Sequence, residues 1–209
     1  MIQNVLCFGD SNTFGLKPNP FPWTRERWAE TERWPTVLAT LVAANFISEG
    51  LPGRTAATVN HGSPHLDAIP IIPALMESHT PIDTVIVMRG TNDLQSAFNL
   101  SPEAITIAMA GIVKSLRKAE RIVGALEPRI LVLSPPVISE VGFRSDTFAG
   151  AAQKSLRLAR LYEGMASALG ADFLDASIHV KSSDIDGLHL DTDQHIVLAH
   201  AIAEKIKQA

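Results

Sequence analysis

The feature that most narrows the fold is an alternation, repeated five times, between a short apolar run and a longer stretch with helical spacing. The apolar runs are residues 2–8, 46–51, 84–88, 130–133 and 172–174. Between them, 35–45 sets Val37, Leu38, Leu41 and Val42 on one helical face, and 66–78 reads as a helix blurred by Pro70 and Pro73. Residues 101–121 open with Ser101 as an N-cap and Pro102 at the first helical position, 148–169 are amphipathic, and 191–207 form the last helix. Strands that alternate with helices pair in parallel, because each helix carries the chain back to the same end of the sheet. The pattern therefore predicts an α/β fold: a five-stranded parallel sheet with helices on both faces. Such sheets bind ligands outside the carboxyl ends of their strands, so chemistry is to be sought just after each strand.

The 209 residues suit one domain, read here as 1–209. Net charge is −4 and no basic stretch is present, which argues against nucleic acid as a partner. No run approaches 18 apolar residues, so no membrane span is expected. The start lacks a basic n-region and reads as a first strand. Cys7 is the one cysteine, so no internal disulfide forms, and the two points together favour the cytoplasm. The least regular segment, 17–32, contains three prolines and reads as a long loop ending near a cleft mouth. Trp23, Trp28 and Trp34 surround it. They pack locally, wall the cleft, or face a neighbouring subunit, so a homo-oligomer stays open.

Four loops fall where chemistry is expected. Gly9-Asp10-Ser11-Asn12-Thr13 follows the first strand. A serine on a tight strand-to-helix turn exposes its hydroxyl beside free backbone N–H groups, although an ordinary Asp/Ser N-cap looks the same. Gly50-Leu51-Pro52-Gly53-Arg54-Thr55 follows the second strand, and its glycine allows close backbone approach or simply makes a turn. Gly90-Thr91-Asn92-Asp93 follows the third, where Asn92 is either an amide donor facing a cleft or part of a Gly/Asn turn. Asp186-Gly187-Leu188-His189-Leu190 lies near the C-terminus. A carboxylate three residues before a histidine can hold its Nδ1 and leave Nε2 as a base, or the pair can be a loop before a helix cap. His61 and His65 are four apart, but Pro64 intervenes and no Cys or Glu completes a set, so no metal is expected.

Taken in chain order, GDSNT, the glycine of GLPGRT, GTND and DGLHL resemble the blocks of the SGNH hydrolases, also called GDSL-type esterases. The likeness covers almost the whole chain. It is greatest to small arylesterases and acyltransferases, through CFGDS, the RW before the first long helix and SPP after the fourth strand. The resemblance implies a flavodoxin-like three-layer sandwich and acyl transfer from a small ester to water without a cofactor. It implies Ser11 as nucleophile, His189 as base and Asp186 as its orienting carboxylate. The oxyanion donors it implies are the Ser11 and Gly53 backbones and the Asn92 side chain. Two positions depart from the usual pattern: Asn12 stands where leucine is common, and Arg89 where an apolar residue precedes GTND. Arg89 then faces the cleft or pairs with a carboxylate. An aromatic cleft without a cationic cluster favours short acyl groups, on aryl or alkyl alcohols or on sugars. The rival readings are phosphoryl transfer through Asp10 and a non-catalytic sugar- or ligand-binding module.

Overall fold

A computed structural model describes residues 3–21, 25–60, 62–123 and 126–208. Five strands, β1 (Gln3–Gly9), β2 (Ala44–Gly50), β3 (Thr84–Met88), β4 (Arg129–Ser134) and β5 (Asp172–Asp175), form one sheet in the order β2-β1-β3-β4-β5, every pair parallel. This is the flavodoxin-like order the resemblance implies. Six α-helices cover it: α1 (Ser11–Phe14), α2 (Trp34–Leu41), α3 (Ile72–Ser78), α4 (Pro102–Val123), α5 (Ala151–Ala168) and α6 (Thr192–Lys207).

Strand periodicity sorts the core into two layers. Side chains two apart share a face, so Leu6 and Phe8 of β1 join Val85 and Val87 of β3 beneath α3, α4 and α5. Val5 and Cys7 join Ile86 and Met88 on the other face, with Trp34, Leu38, Leu198 and Ile202 of α2 and α6. A strand buried on both faces must be apolar throughout, and TVIVM in β3 is fully buried.

Three element boundaries differ from the sequence reading, each for a local reason. The helix expected over 66–78 is two short 3₁₀ turns, Pro64–Leu66 and Ile69–Ile71, before α3. Pro70 and Pro73 lack an N–H and are accepted only in first turns, so each restarts the helix. The helix begun at Trp34 stops at Leu41, where Val42 turns extended to feed β2. α5 begins at Ala151, because Gly150 holds φ +79° and breaks the helix before it. Ile2, Trp23 and His61 lie outside the described residues. Among the described residues no helix is long and apolar enough to cross a membrane.

The chain leaves β1 toward β2 on one side and later returns to β3 on the other. The crevice between the ends of β1 and β3 is the switch point at which open α/β sheets bind ligands. The four candidate loops converge there.

Candidate active site

The turn after β1 is dictated by close approach. At Gly9 a Cβ would stand 1.6 Å from Thr13 Oγ1, so the short helix α1 folds directly onto the strand end. Asp10 caps α1 through a bond from the Asn12 N–H to its carboxylate (3.0 Å). Ser11 opens the helix, and its hydroxyl faces a cavity of about 580 Å³ that Gly53, Asn92 and His189 also line.

Ser11 Oγ lies 3.1 Å from His189 Nε2, and His189 Nδ1 lies 2.6 Å from Asp186 Oδ2. The carboxylate partner assigns the ring proton to Nδ1, which leaves Nε2 to accept from the hydroxyl. All three residues are buried, with His189 4% and Asp186 1% exposed. Asp186 is heavily engaged: Oδ1 accepts the Leu188 and His189 N–H groups (3.1 and 3.0 Å), and Oδ2 also accepts the Asn19 N–H (3.2 Å). Burial pushes the Asp186 carboxyl up, but the bonds from His189 and Leu188 outweigh it and hold it below the usual carboxylate range.

Across the cavity, Gly53 adopts φ +85°, a left-handed conformation that favours glycine. Neither the Ser11 nor the Gly53 N–H reaches another backbone carbonyl among the described residues. Asn92 spends one amide N–H on the Arg54 carbonyl (3.1 Å), which fixes the amide plane and leaves the second N–H for the cavity. Ser11, Gly53 and Asn92 thus line one cavity, and the serine hydroxyl there is bonded to an imidazole.

Two residues that tie these loops together carry no signal of that role in the sequence. Asn12 Nδ2 donates to the Leu188 carbonyl (3.0 Å) and Asn12 Oδ1 accepts from the Leu190 N–H (3.1 Å), so one side chain clamps both neighbours of His189. Asp93 accepts the Ala56 and Ala57 N–H groups (2.9 and 2.7 Å), fastening the loop after β3 to the loop after β2. The only available hint was that both are polar residues immediately beside proposed site residues.

Several expectations are corrected. Arg89 neither faces the cleft nor forms an ion pair among the described residues. It is fully buried with its guanidinium 4.1 Å from the Phe8 ring centre, where the charges of Asp10 and Asp93 act on it. Asp10 is 1% exposed and does not line the cavity, which counts against it as a phosphoryl acceptor. The cavity does carry cationic groups, Arg25 and Arg144, contrary to the expectation of none. Its aromatic lining comes from Phe14 and Phe148. Trp34 is buried in the core, and Trp28 sits against the site loop, its indole donating to the Leu190 carbonyl (3.1 Å). The segment 17–32 does reach the cleft, through Arg25 and the Asn19 bond to Asp186.

Comparison with known proteins gives the family and the fold. The model of the GDSL-like lipase/acylhydrolase family matches residues 7–198. The carbohydrate acetylesterase Est24 of Sinorhizobium meliloti superposes with a TM-score of 0.93 at 32% identity, over 99% of both chains. The aryl esterase of M. smegmatis superposes with a TM-score of 0.92 at 33% identity, again over 99% of both. A second carbohydrate acetylesterase family member from Sinorhizobium meliloti gives 0.85 at 28% identity, covering 99% of this chain and 98% of its own. A search of curated proteins finds no match.

Proposed function

The chain belongs to the GDSL-like lipase/acylhydrolase family, and from that premise we propose that it is a serine esterase that removes short acyl groups from small esters through Ser11, His189 and Asp186. The observation that carries this reading is the continuous bond path from Asp186 Oδ2 through His189 to Ser11 Oγ at the floor of the cavity.

The steps follow from the geometry. Ser11 Oγ attacks the ester carbonyl as His189 Nε2 takes its proton, and Asp186 stabilises the imidazolium that forms. Charge develops on the carbonyl oxygen, where the Ser11 and Gly53 N–H groups and the second Asn92 N–H receive it. These donors are already held by the turn after β1, the left-handed Gly53 and the Arg54 carbonyl, so little reorganisation is needed when the charge appears. His189 then passes its proton to the departing alcohol. Water, or a second alcohol held in the same cavity, attacks the acyl-enzyme by the reverse sequence, giving hydrolysis or acyl transfer.

Cavity size and lining support short acyl groups. Leu51, Leu66 and Leu188 join the two phenylalanines, while Ser63, Thr91 and Gln95 supply polar edges suited to an aryl, alkyl or sugar alcohol. Two of the solved relatives are a carbohydrate acetylesterase and an aryl esterase. The test is hydrolysis of p-nitrophenyl acetate with and without a serine-reactive organophosphate, with the adduct located by mass spectrometry. The expected result is stoichiometric labelling of Ser11 and complete loss of turnover. Folded Ser11→Ala that still hydrolyses the ester at more than about 10⁻³ of the wild-type rate would sink the assignment.

A further inference from the structure

The chain is acidic overall, at −4, yet its cleft is not. Arg25 and Arg144 both line the cavity, and among the described residues no aspartate or glutamate does. Both arginines come from segments anchored at Asp186. The Asn19 N–H bonded to Asp186 Oδ2 holds the segment that leads to Arg25. Gly142 opens the 3₁₀ turn Gly142–Arg144 and lies so close to the same loop that a Cβ would stand 2.5 Å from the Ile185 carbonyl oxygen and 3.3 Å from Asp186 Cα. Both arginines therefore enter the cavity from segments tied to the Asp186 loop, and the Asp186 charge acts on Arg144.

Neither arginine forms an ion pair among the described residues. Arg144 Nε is buried without a hydrogen-bond partner. Burial holds the Arg144 guanidinium below its usual range, the Asp186 charge opposes this, and the Arg25 charge adds to it. Asp186, the carboxylate whose charge acts on Arg144, is already committed to His189 and three backbone N–H groups. Two like charges therefore line one cavity and are close enough for Arg25 to act on Arg144. An anion entering beside them relieves that repulsion and supplies a charged hydrogen-bond acceptor to Arg144, whose guanidinium otherwise lies 4.7 Å from the Phe143 ring centre.

The geometry points to Arg25 and Arg144 as an anion-recognising subsite that selects esters whose alcohol part carries a carboxylate or phosphate group. The alcohol side is assigned because the segments of both arginines are tied to the loop of His189, which hands its proton to the leaving alcohol. To that extent the inference rests on the acyl transfer proposed above.

The test compares pairs of acetate esters that differ in charge. One pair is 4-acetoxybenzoate and its neutral methyl ester; the second sets 4-acetoxyphenyl phosphate against phenyl acetate. In the wild type, kcat/KM for at least one anionic member is expected to exceed that of its neutral partner by roughly tenfold. The pair with the larger ratio identifies the preferred oxyanion. The ratio is expected to fall toward one in Arg25→Gln and Arg144→Gln, to persist in part in Arg144→Lys, and to shrink as salt is raised. Using a ratio cancels any loss of rate common to both esters. Arg25 is exposed, so its replacement leaves the fold intact even if Arg144 proves intolerant. Wild-type ratios at or below one in both pairs would overturn the subsite, as would a preference that survives in the double variant. Failure to hydrolyse any of the four esters, neutral ones included, would remove the Ser11 reading and this one together.

Discussion

At the scale of single residues, the site depends on how tightly three side chains are held. Asn12 is the clearest case, since it grips the carbonyl before His189 and the N–H after it. Asn12→Ala removes both grips and lets the His189 loop drift, and a displacement near 1 Å lowers kcat by up to about 10²-fold while KM stays nearly constant. Asn12→Asp keeps the acceptor for the Leu190 N–H and is expected to fall between. Equal losses in kcat and substrate affinity for Asn12→Ala would show general unfolding of the cleft instead. Asn92 acts on the reacting oxygen itself in the proposed reaction, so Asn92→Ala is expected to cost roughly 10²–10³ in kcat. A rise in KM at unchanged kcat would make it a binding residue. That Ser11, Gly53, Asn92 and His189 line one cavity, with Asp186 bonded to His189, could be anticipated because each lies in a short motif directly after a strand or before the last helix. Asn12 was noticed only as a departure from the usual leucine. Its partners lie more than 170 positions away in the chain, and no local pattern reports a contact of that range.

At the scale of elements, the five apolar runs located the strands because a parallel sheet covered on both faces buries nearly every residue of its central strands. Helix limits were harder to read, since prolines, a left-handed glycine and an extended valine set them locally. The α2–α6 contact was invisible in the sequence, and it carries a titration. His195 of α6 is fully buried, and its Nδ1 accepts the Trp34 N–H (3.3 Å) at the start of α2, a helix with no side-chain cap of its own. Burial, with smaller contributions from the charges of His189 and Arg33, lowers the His195 pKa to about 4. The folded value lies below the unfolded value of about 6.5, so the neutral ring favours folding above pH 6.5. That contribution is lost as pH falls toward 4, by roughly 3 kcal/mol at 1.36 kcal/mol per pKa unit. His195→Asn keeps an acceptor near the same place but does not titrate. The Tm difference between wild type and His195→Asn is therefore expected to shrink steadily from pH 7 to pH 4. A difference independent of pH would mean that His195 does not bear on acid stability.

At the scale of the whole molecule, the place of the cleft at the strand ends was readable from the strand–helix alternation, while the charges placed at it were not, because they arrive from separate segments of the chain. Beneath the cleft, Arg89, Arg54, Asp10 and Asp93 are buried together, with Phe8 under both guanidinium groups. This layer lies across the sheet from the α2–α6 interface and titrates with the opposite sign. Burial raises the Asp93 pKa to about 6, against the opposing bonds from Ala57 and Ala56 and the charge of Arg89. Its folded value lies above the unfolded carboxylate value, so its contribution is complete below about pH 4 and is lost as pH rises through 6. Asp10 is shifted in the same direction, again chiefly by burial. Between pH 4 and 6.5, His195 therefore adds stability with rising pH while Asp93 removes it, each by roughly 3 kcal/mol. The wild type is expected to show a shallow stability profile across that window because the two slopes oppose each other, one on each face of the sheet. Single variants separate them. Asp93→Asn loses one of its two backbone bonds at every pH, but its stability should climb more steeply with pH from 4 to 6.5 than that of the wild type, since Asp93 no longer opposes the His195 slope. His195→Asn should decline over the same interval. Urea unfolding at half-unit pH steps measures all three profiles, and the double variant should return to a shallow curve at lower stability. Parallel profiles for wild type and Asp93→Asn would show that the Asp93 carboxyl does not titrate in this window, and the compensation would then have to lie elsewhere.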